Sequence, residues 1–255
     1  MKIKIFFKNN KYELITLLAD ALIILAAFFV ITQFLAFIVS LVVIILSTFI
    51  IIYLKTKEKT FYYYPFDIPG QKQDWIGRGD LNFVRNEKCF EITRSDVGFI
   101  LPKTLNWDDY RYELDFKIAE TSLGFIVRAI NLSNCVMYQI FEDCIKPHLR
   151  INAEWIWMDI VKFDQKLSLD NWYKLVVVCE KRNIRIQILD QSRSSLFDRS
   201  LSIPLTMKVN RPMDLEGKKV ETHYIQNIDF DFGAIGIRNF GNERALVKNI
   251  FIEKL

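Results

Sequence analysis

From Leu14 to Leu54 the chain is apolar at nearly every position, with Asp20 as the one charged residue and neither Gly nor Pro. Beyond residue 60 the pattern changes to short runs in which apolar and polar positions alternate. In Tyr110–Ile118, Tyr110, Tyr112, Leu114, Phe116 and Ile118 share one parity, and Arg111, Glu113, Asp115 and Lys117 the other. A period of two held over that length predicts a strand with one buried and one wet face. Asn183–Leu189 repeats the pattern. Further strands are predicted at Leu81–Val84, Lys88–Thr93, Gly98–Leu101, Leu123–Ile130, Cys135–Phe141, His148–Ala153, Trp155–Phe163, Trp172–Glu180, Gly233–Arg238 and Leu246–Ile252. No helical period follows residue 60. The expected architecture of this part is an antiparallel β-sandwich, a jelly roll. Ile203–Val220 contains Pro204, Pro212 and the cluster Asp214-Leu-Glu-Gly-Lys-Lys219, and is predicted to be a long loop.

The apolar run sets a second expectation. One spanning helix needs about 20 residues to cross roughly 30 Å of hydrocarbon, and a helix over 14–54 would be about twice that length at ~1.5 Å per residue. Two spans, 14–31 and 34–54, turning near Thr32-Gln33, fit better. The sequence-based fold class is therefore membrane plus all-β: a transmembrane two-helix hairpin followed by the sandwich. The domains expected are a basic flank at 1–13, the membrane segment at 14–54, a linker at 55–70 and the β-domain at 71–255. Phe61-Tyr-Tyr-Tyr64 suits a membrane interface or a first strand. Lysines flank both ends of the apolar run. Two crossings put both flanks inside, so a multi-pass membrane location with a cytoplasmic β-domain is expected. Ala19, Ala26, Gln33, Ser40 and Ser47 recur every seven residues. Small, weakly polar side chains at that period suit helix association in lipid, which makes the lipid bilayer and a second copy of the chain the expected partners.

Charge and composition narrow the chemistry. Residues 1–60 hold seven lysines against Glu13, Asp20 and Glu58, whereas the 27 basic and 27 acidic residues of 61–255 cancel. The excess of positive charge thus belongs to the N-terminal flanks and gives no support to a nucleic-acid polymer as partner. Cys89, Cys135, Cys144 and Cys179 are scattered and only His148 and His223 accompany them, so no zinc spacing is present. The cysteines read as buried unpaired thiols, with two disulfides as the alternative on an oxidising side. No nucleophile triad, phosphate-cradling glycine loop or metal motif stands out, and no cofactor is expected.

Several segments carry a resemblance: Tyr-Glu-Leu-Asp-Phe-Lys-Ile (112–118), Gly-Phe-Ile-Val-Arg-Ala (124–129), Tyr-Gln-Ile (138–140), Asn-Trp-Tyr-Lys-Leu-Val-Val (171–177), Gly-Ala-Ile-Gly-Ile-Arg (233–238) and Asn-Ile-Phe-Ile (249–252). Their order resembles the concanavalin A-like lectin/glucanase superfamily, near its laminin-G-like and 3-keto-disaccharide-hydrolase-like members, over about 75–255. The resemblance implies a β-sandwich and, by analogy, a carbohydrate or related small molecule as ligand. Glu113 and Asp115 resemble the opening of the glucanase Glu-x-Asp-x-Glu motif, but Lys117 (Ile118 in the longer form) stands where its closing acid belongs. Hydrolysis by that mechanism, which needs two carboxylates flanking the bond, is therefore not expected. The residues singled out for binding are Arg128, out of phase with Phe125 and Val127, then Gln139, Glu113 and Asp115, and Trp155 and Trp157, which share a strand face and can stack on a flat ring. The reading is a membrane-anchored binding module. The alternatives are an antiphage-type membrane effector with a cytoplasmic cyclic-nucleotide sensor, and a glycoside hydrolase.

Overall fold

A computed structural model of the chain describes residues 11–28, 33–56, 60–215 and 218–255. The chain divides into two units, Met1–Lys59 and Thr60–Leu255.

In the first unit, α1 (Lys11–Phe28) and α2 (Gln33–Thr56) lie against each other. The expected spans 14–31 and 34–54 are corrected here: among the described residues, no helix is long and apolar enough to cross a membrane. The side chains described in α1 run from Ile15 to Ile23 and include exposed Asp20, and those in α2 run from Ser40 to Ile51. The transmembrane part of the expected fold class, the multi-pass location and the cytoplasmic placement of the β-domain lose their support. So does the bilayer as partner. In the small-residue stripe, Ala19 is buried and Ser40 and Ser47 are half-buried, Ser47 turning its hydroxyl back onto the Ile44 carbonyl at 3.0 Å. The side chains of Ala26 and Gln33, and the turn expected at Thr32-Gln33, lie outside the described residues.

The second unit is all-β, as the alternation predicts. Fourteen strands of the described chain form one antiparallel sheet folded over on itself. One layer is built from β4 (Tyr110–Glu120), β10 (Tyr173–Glu180), β11 (Asn183–Leu189) and β12 (Ser195–Ser202). The other contains β2 (Ile76–Val84), β3 (Cys89–Ile100), β5 (Leu123–Asn131), β6 (Asn134–Ile140), β7 (Cys144–Ile151), β8 (Glu154–Trp157), β9 (Val161–Lys162) and β15 (Ala234–Arg238). They join through β16 (Arg244–Lys254), which pairs β4 along one side and, along the other, β3 and then β1 (Phe61–Tyr64). The tyrosine run at 61–64 is thus a strand. The apolar parity of β4 faces the main core, where Tyr110, Tyr112, Leu114 and Phe116 are fully buried. Each buried apolar side chain of this size contributes about 1.5–3 kcal/mol. Cys89, Cys135, Cys144 and Cys179 are all buried and free.

Residues 203–220 do not form the long loop predicted. They enter a two-stranded hairpin, β13 (Thr206–Leu215) and β14 (Lys218–Asn227), with Pro212 opposite Glu221. A two-stranded ribbon leaves one edge of each strand unpaired, so proline is tolerated there as it is not in a central strand.

A β-bulge interrupts β5. Val127 is opposite Val136 and the next matched pair is Asn131 with Asn134, so the ladder loses register around Arg128, whose φ of 54° is left-handed. Gly233 (φ 141°) is packed against this bulge, and a Cβ there would stand 2.5 Å from the Arg128 carbonyl carbon. Strain of that backbone kind costs about 1–3 kcal/mol before any clash. Gly233→Ala is expected to lower unfolding free energy by about 2 kcal/mol or more, read from the urea midpoint at unchanged m-value.

Candidate functional site

One outward sheet face brings together indole, imidazole, guanidinium and amide groups. The strands β15, β5, β6, β7 and β8 lie side by side, and their registers fix which residues are neighbours. Arg238 pairs with Gly124, Gly124 with Gln139, and Gln139 with Lys146. In the next row Ile126 is opposite Met137, Met137 opposite His148, and His148 opposite Trp157. In the third, Cys135 is opposite Arg150 and Arg150 opposite Trp155. Because side chains alternate along a strand, these all point away from the main core.

The floor is apolar, a second small cluster of Ile100, Ile126, Ala129, Cys135, Met137 and Ala234 with Trp155 packed against it. Arg238 lies over the face and donates from Nε to the Asp96 carbonyl at 2.8 Å and from Nη1 to Met137 Sδ at 3.4 Å. Arg150 donates from Nη1 to the Leu132 carbonyl at 2.8 Å. Both guanidiniums sit on the Trp155 indole, at 5.0 Å for Arg150 and 4.7 Å for Arg238, near enough for a cation–π attraction.

Trp157 is 69% exposed, while His148 against it is 1% exposed, with ring centroids 4.3 Å apart edge to face. Neither His148 ring nitrogen has a hydrogen-bond partner. Burial, then the nearby positive charges of Arg238 and Lys146, lower its pKa to about 4. Trp155, Trp157, Met137 and Arg150 pack around it and no carboxylate bonds it, so at neutral pH the imidazole is uncharged. The unfolded chain takes up this proton near pH 6.5, the folded one only near 4. Stability is therefore fully present above about pH 6.5 and declines as the pH falls toward 4. A His148→Gln variant is expected to flatten this decline, measured as the urea midpoint at pH 7 and at pH 4.5.

The predicted site residues fall into three places. Trp155 and Trp157 share the outward face, as their spacing implies, while Ile156 between them packs on the main core. Gln139 lies on the same face, buried, donating from Nε2 to Ser122 Oγ at 3.0 Å and to Glu243. Arg128 does not. The bulge turns it inward to 0% exposure, where it donates to the carbonyls of Asp231 and Lys181, the latter at 2.6 Å, and its backbone N–H donates to Tyr110 Oη at 2.9 Å. Glu113 and Asp115 lie on the outward face of β4, in the other layer. Glu113 accepts from Lys174 at 2.9 Å and from Arg111, and Asp115 accepts from Asn249 Nδ2 at 2.7 Å. Burial raises the Glu113 pKa, but the hydrogen bonds from Lys174 and Arg111 outweigh it and hold the carboxyl below its ordinary range. A general acid needs the opposite shift.

No protein-family model and no characterised protein matches the sequence. Among solved structures, a protein of unknown function with a galectin-like fold from Bacillus subtilis is similar, at 12% identity and TM-score 0.50, over 78% of this chain and 97% of that one. The carbohydrate-binding module CBM66 from Bacillus subtilis is matched at 15% identity and TM-score 0.47 over 71% and 95% of the two chains. Lectin II from Ulex europaeus is matched at 10% identity and TM-score 0.49 over 77% and 99%. The β-domain has the concanavalin A-like jelly-roll fold that the sequence resembles. At these identities the likeness concerns the fold.

Proposed function

We propose that the β-domain is a carbohydrate-binding module and that its ligand lies on the outward face of β6, β7 and β8. One observation carries this reading: an exposed Trp157 beside a buried His148 with two unused ring nitrogens, on an apolar floor edged by Arg150, Arg238 and Gln139. A sugar ring has an apolar C–H face and a rim of hydroxyls. A flat indole serves the face, while imidazole, guanidinium and amide groups in the plane of the sheet serve the rim. The galectin-like fold supports the reading by placing such a strand face on the outside of a sandwich.

The test is titration of the full chain with a panel of mono- and oligosaccharides, followed by tryptophan fluorescence. A saturable change in the emission of Trp155 and Trp157 is expected with some members. Saturable binding that persists unchanged in both Trp155→Ala and Trp157→Ala would move the site elsewhere, and no binding across the panel would end the reading.

A further inference from the structure

We infer that the saccharide bound at this face is anionic, a sugar carrying a carboxylate or a sulfate. The inference rests on the carbohydrate reading above and adds the class of sugar. Lys146, His148 and Arg150 alternate along β7 and so form one row, and Arg238 reaches over the same floor from β15. Among the described residues, none of the three cations forms an ion pair with a carboxylate. Arg150 donates to the carbonyls of Ala153 and Leu132. Arg238 donates to the Asp96 carbonyl and the Met137 sulfur. Lys146 Nζ lies 4.0 Å from the centre of the Phe141 ring.

Glu243, just before β16, and Asp96 bear favourably on Arg238 and offset part of its charge, but neither forms an ion pair with it among the described residues. Glu243 accepts from Gln139 Nε2 with one oxygen and from the Phe240 N–H, at 2.7 Å, with the other. Carbonyl and π contacts orient a cation without cancelling its charge. Arg150 and Arg238, both nearly buried, are held against one indole, near enough that the charge of Arg150 bears on Arg238. Like charges so placed above an apolar floor repel at low effective dielectric, and an anion between them converts that repulsion into two attractions. Several basic side chains elsewhere on this domain are matched, although Lys248, set against Trp172, forms no ion pair among the described residues either. Arg111 and Lys174 share Glu113, Arg185 meets Asp198, and Arg244 meets Glu91 and Glu120. Lys146, Arg150 and Arg238 coincide with the exposed Trp157 and the unpartnered His148. A guanidinium is well shaped for a carboxylate or a sulfate, because its N–H groups can meet two oxygens at once.

The experiment uses matched pairs on the full chain by isothermal titration: trigalacturonate against its methyl ester, and galactose 6-sulfate against galactose. Within at least one pair the charged member is expected to bind tenfold or more tightly, about 1.4 kcal/mol, and to weaken steeply with added salt. Lys146→Gln should shrink that ratio while leaving the melting transition in place, since Lys146 makes no bond to the backbone. Arg150→Gln should shrink it further. The arm that responds distinguishes a carboxylate from a sulfate. Neutral members binding as tightly as their charged partners would overturn the inference and leave the carbohydrate reading standing. Absence of binding by every sugar, charged or neutral, would remove both.

Discussion

Arg128→Met is expected to destabilise the β-domain by about 3 kcal/mol or more, and to leave the affinity of the folded fraction for saccharide unchanged. The guanidinium is fully buried at the bulge in β5, donates to the carbonyls of Lys181 and Asp231, stands 3.5 Å from Asp109 Oδ1, and lies 5.3 Å from the centre of the Tyr110 ring. Methionine fills much of the volume but returns none of the donors, so two part-buried carbonyls and Asp109 lose a charged donor, at about 1–3 kcal/mol each. Urea unfolding measures the loss. A variant as stable as the parent that had lost saccharide binding would put Arg128 back among ligand contacts.

Trp157→Ala is expected to do the reverse. At 69% exposure its indole contributes little to the fold, so stability should stay within about 0.5 kcal/mol of the parent. It is a flat ring on this face, more exposed than Phe240 against Arg238, and its loss should cost binding about 2 kcal/mol, the scale of a central aromatic anchor. Trp155→Ala is the internal comparison. That ring packs on the second apolar cluster and supports both Arg150 and Arg238, so stability and affinity should fall together. Equal effects of the two substitutions on binding and on stability would contradict the division of labour between them.

How far these assignments could be read from the chain depends on the local backbone. Alternation in β4 reports its two faces correctly because the strand is unbroken between Tyr110 and Glu120. The same logic puts Trp155 and Trp157 on one face. It fails at Arg128, where parity places the side chain outside and the bulge turns it in; neither Gly nor Pro marks the spot. Lys146, His148 and Arg150 sit at a period of two in plain view. Pro147 between them suggests a break, so the strand is expected to begin at His148, whereas β7 runs from Cys144 through Pro147 opposite Tyr138. Arg238 could not be found by pattern, since its place over Trp155 depends on β15 lying beside β5. For α1 and α2, hydropathy alone suggested spans that the described helices do not bear out. At 203–220, prolines and charges imitated a loop because a two-stranded ribbon places few demands on either.

The placement of β16 has a consequence for the order in which the molecule can be assembled. This strand, at residues 244–254, is made after β1, β3 and β4, yet it is the piece that lies between them. Until it arrives, the β4–β10–β11–β12 meander has an open edge where the middle of the sheet will be, and the opposite layer has its own. Pairing across such a separation in sequence is slow because the intervening chain must first be brought back. An unfilled edge on each half invites association with another chain in the meantime. Synthesis from the N-terminus therefore leaves the two halves of the sandwich unclosed until β16 is made.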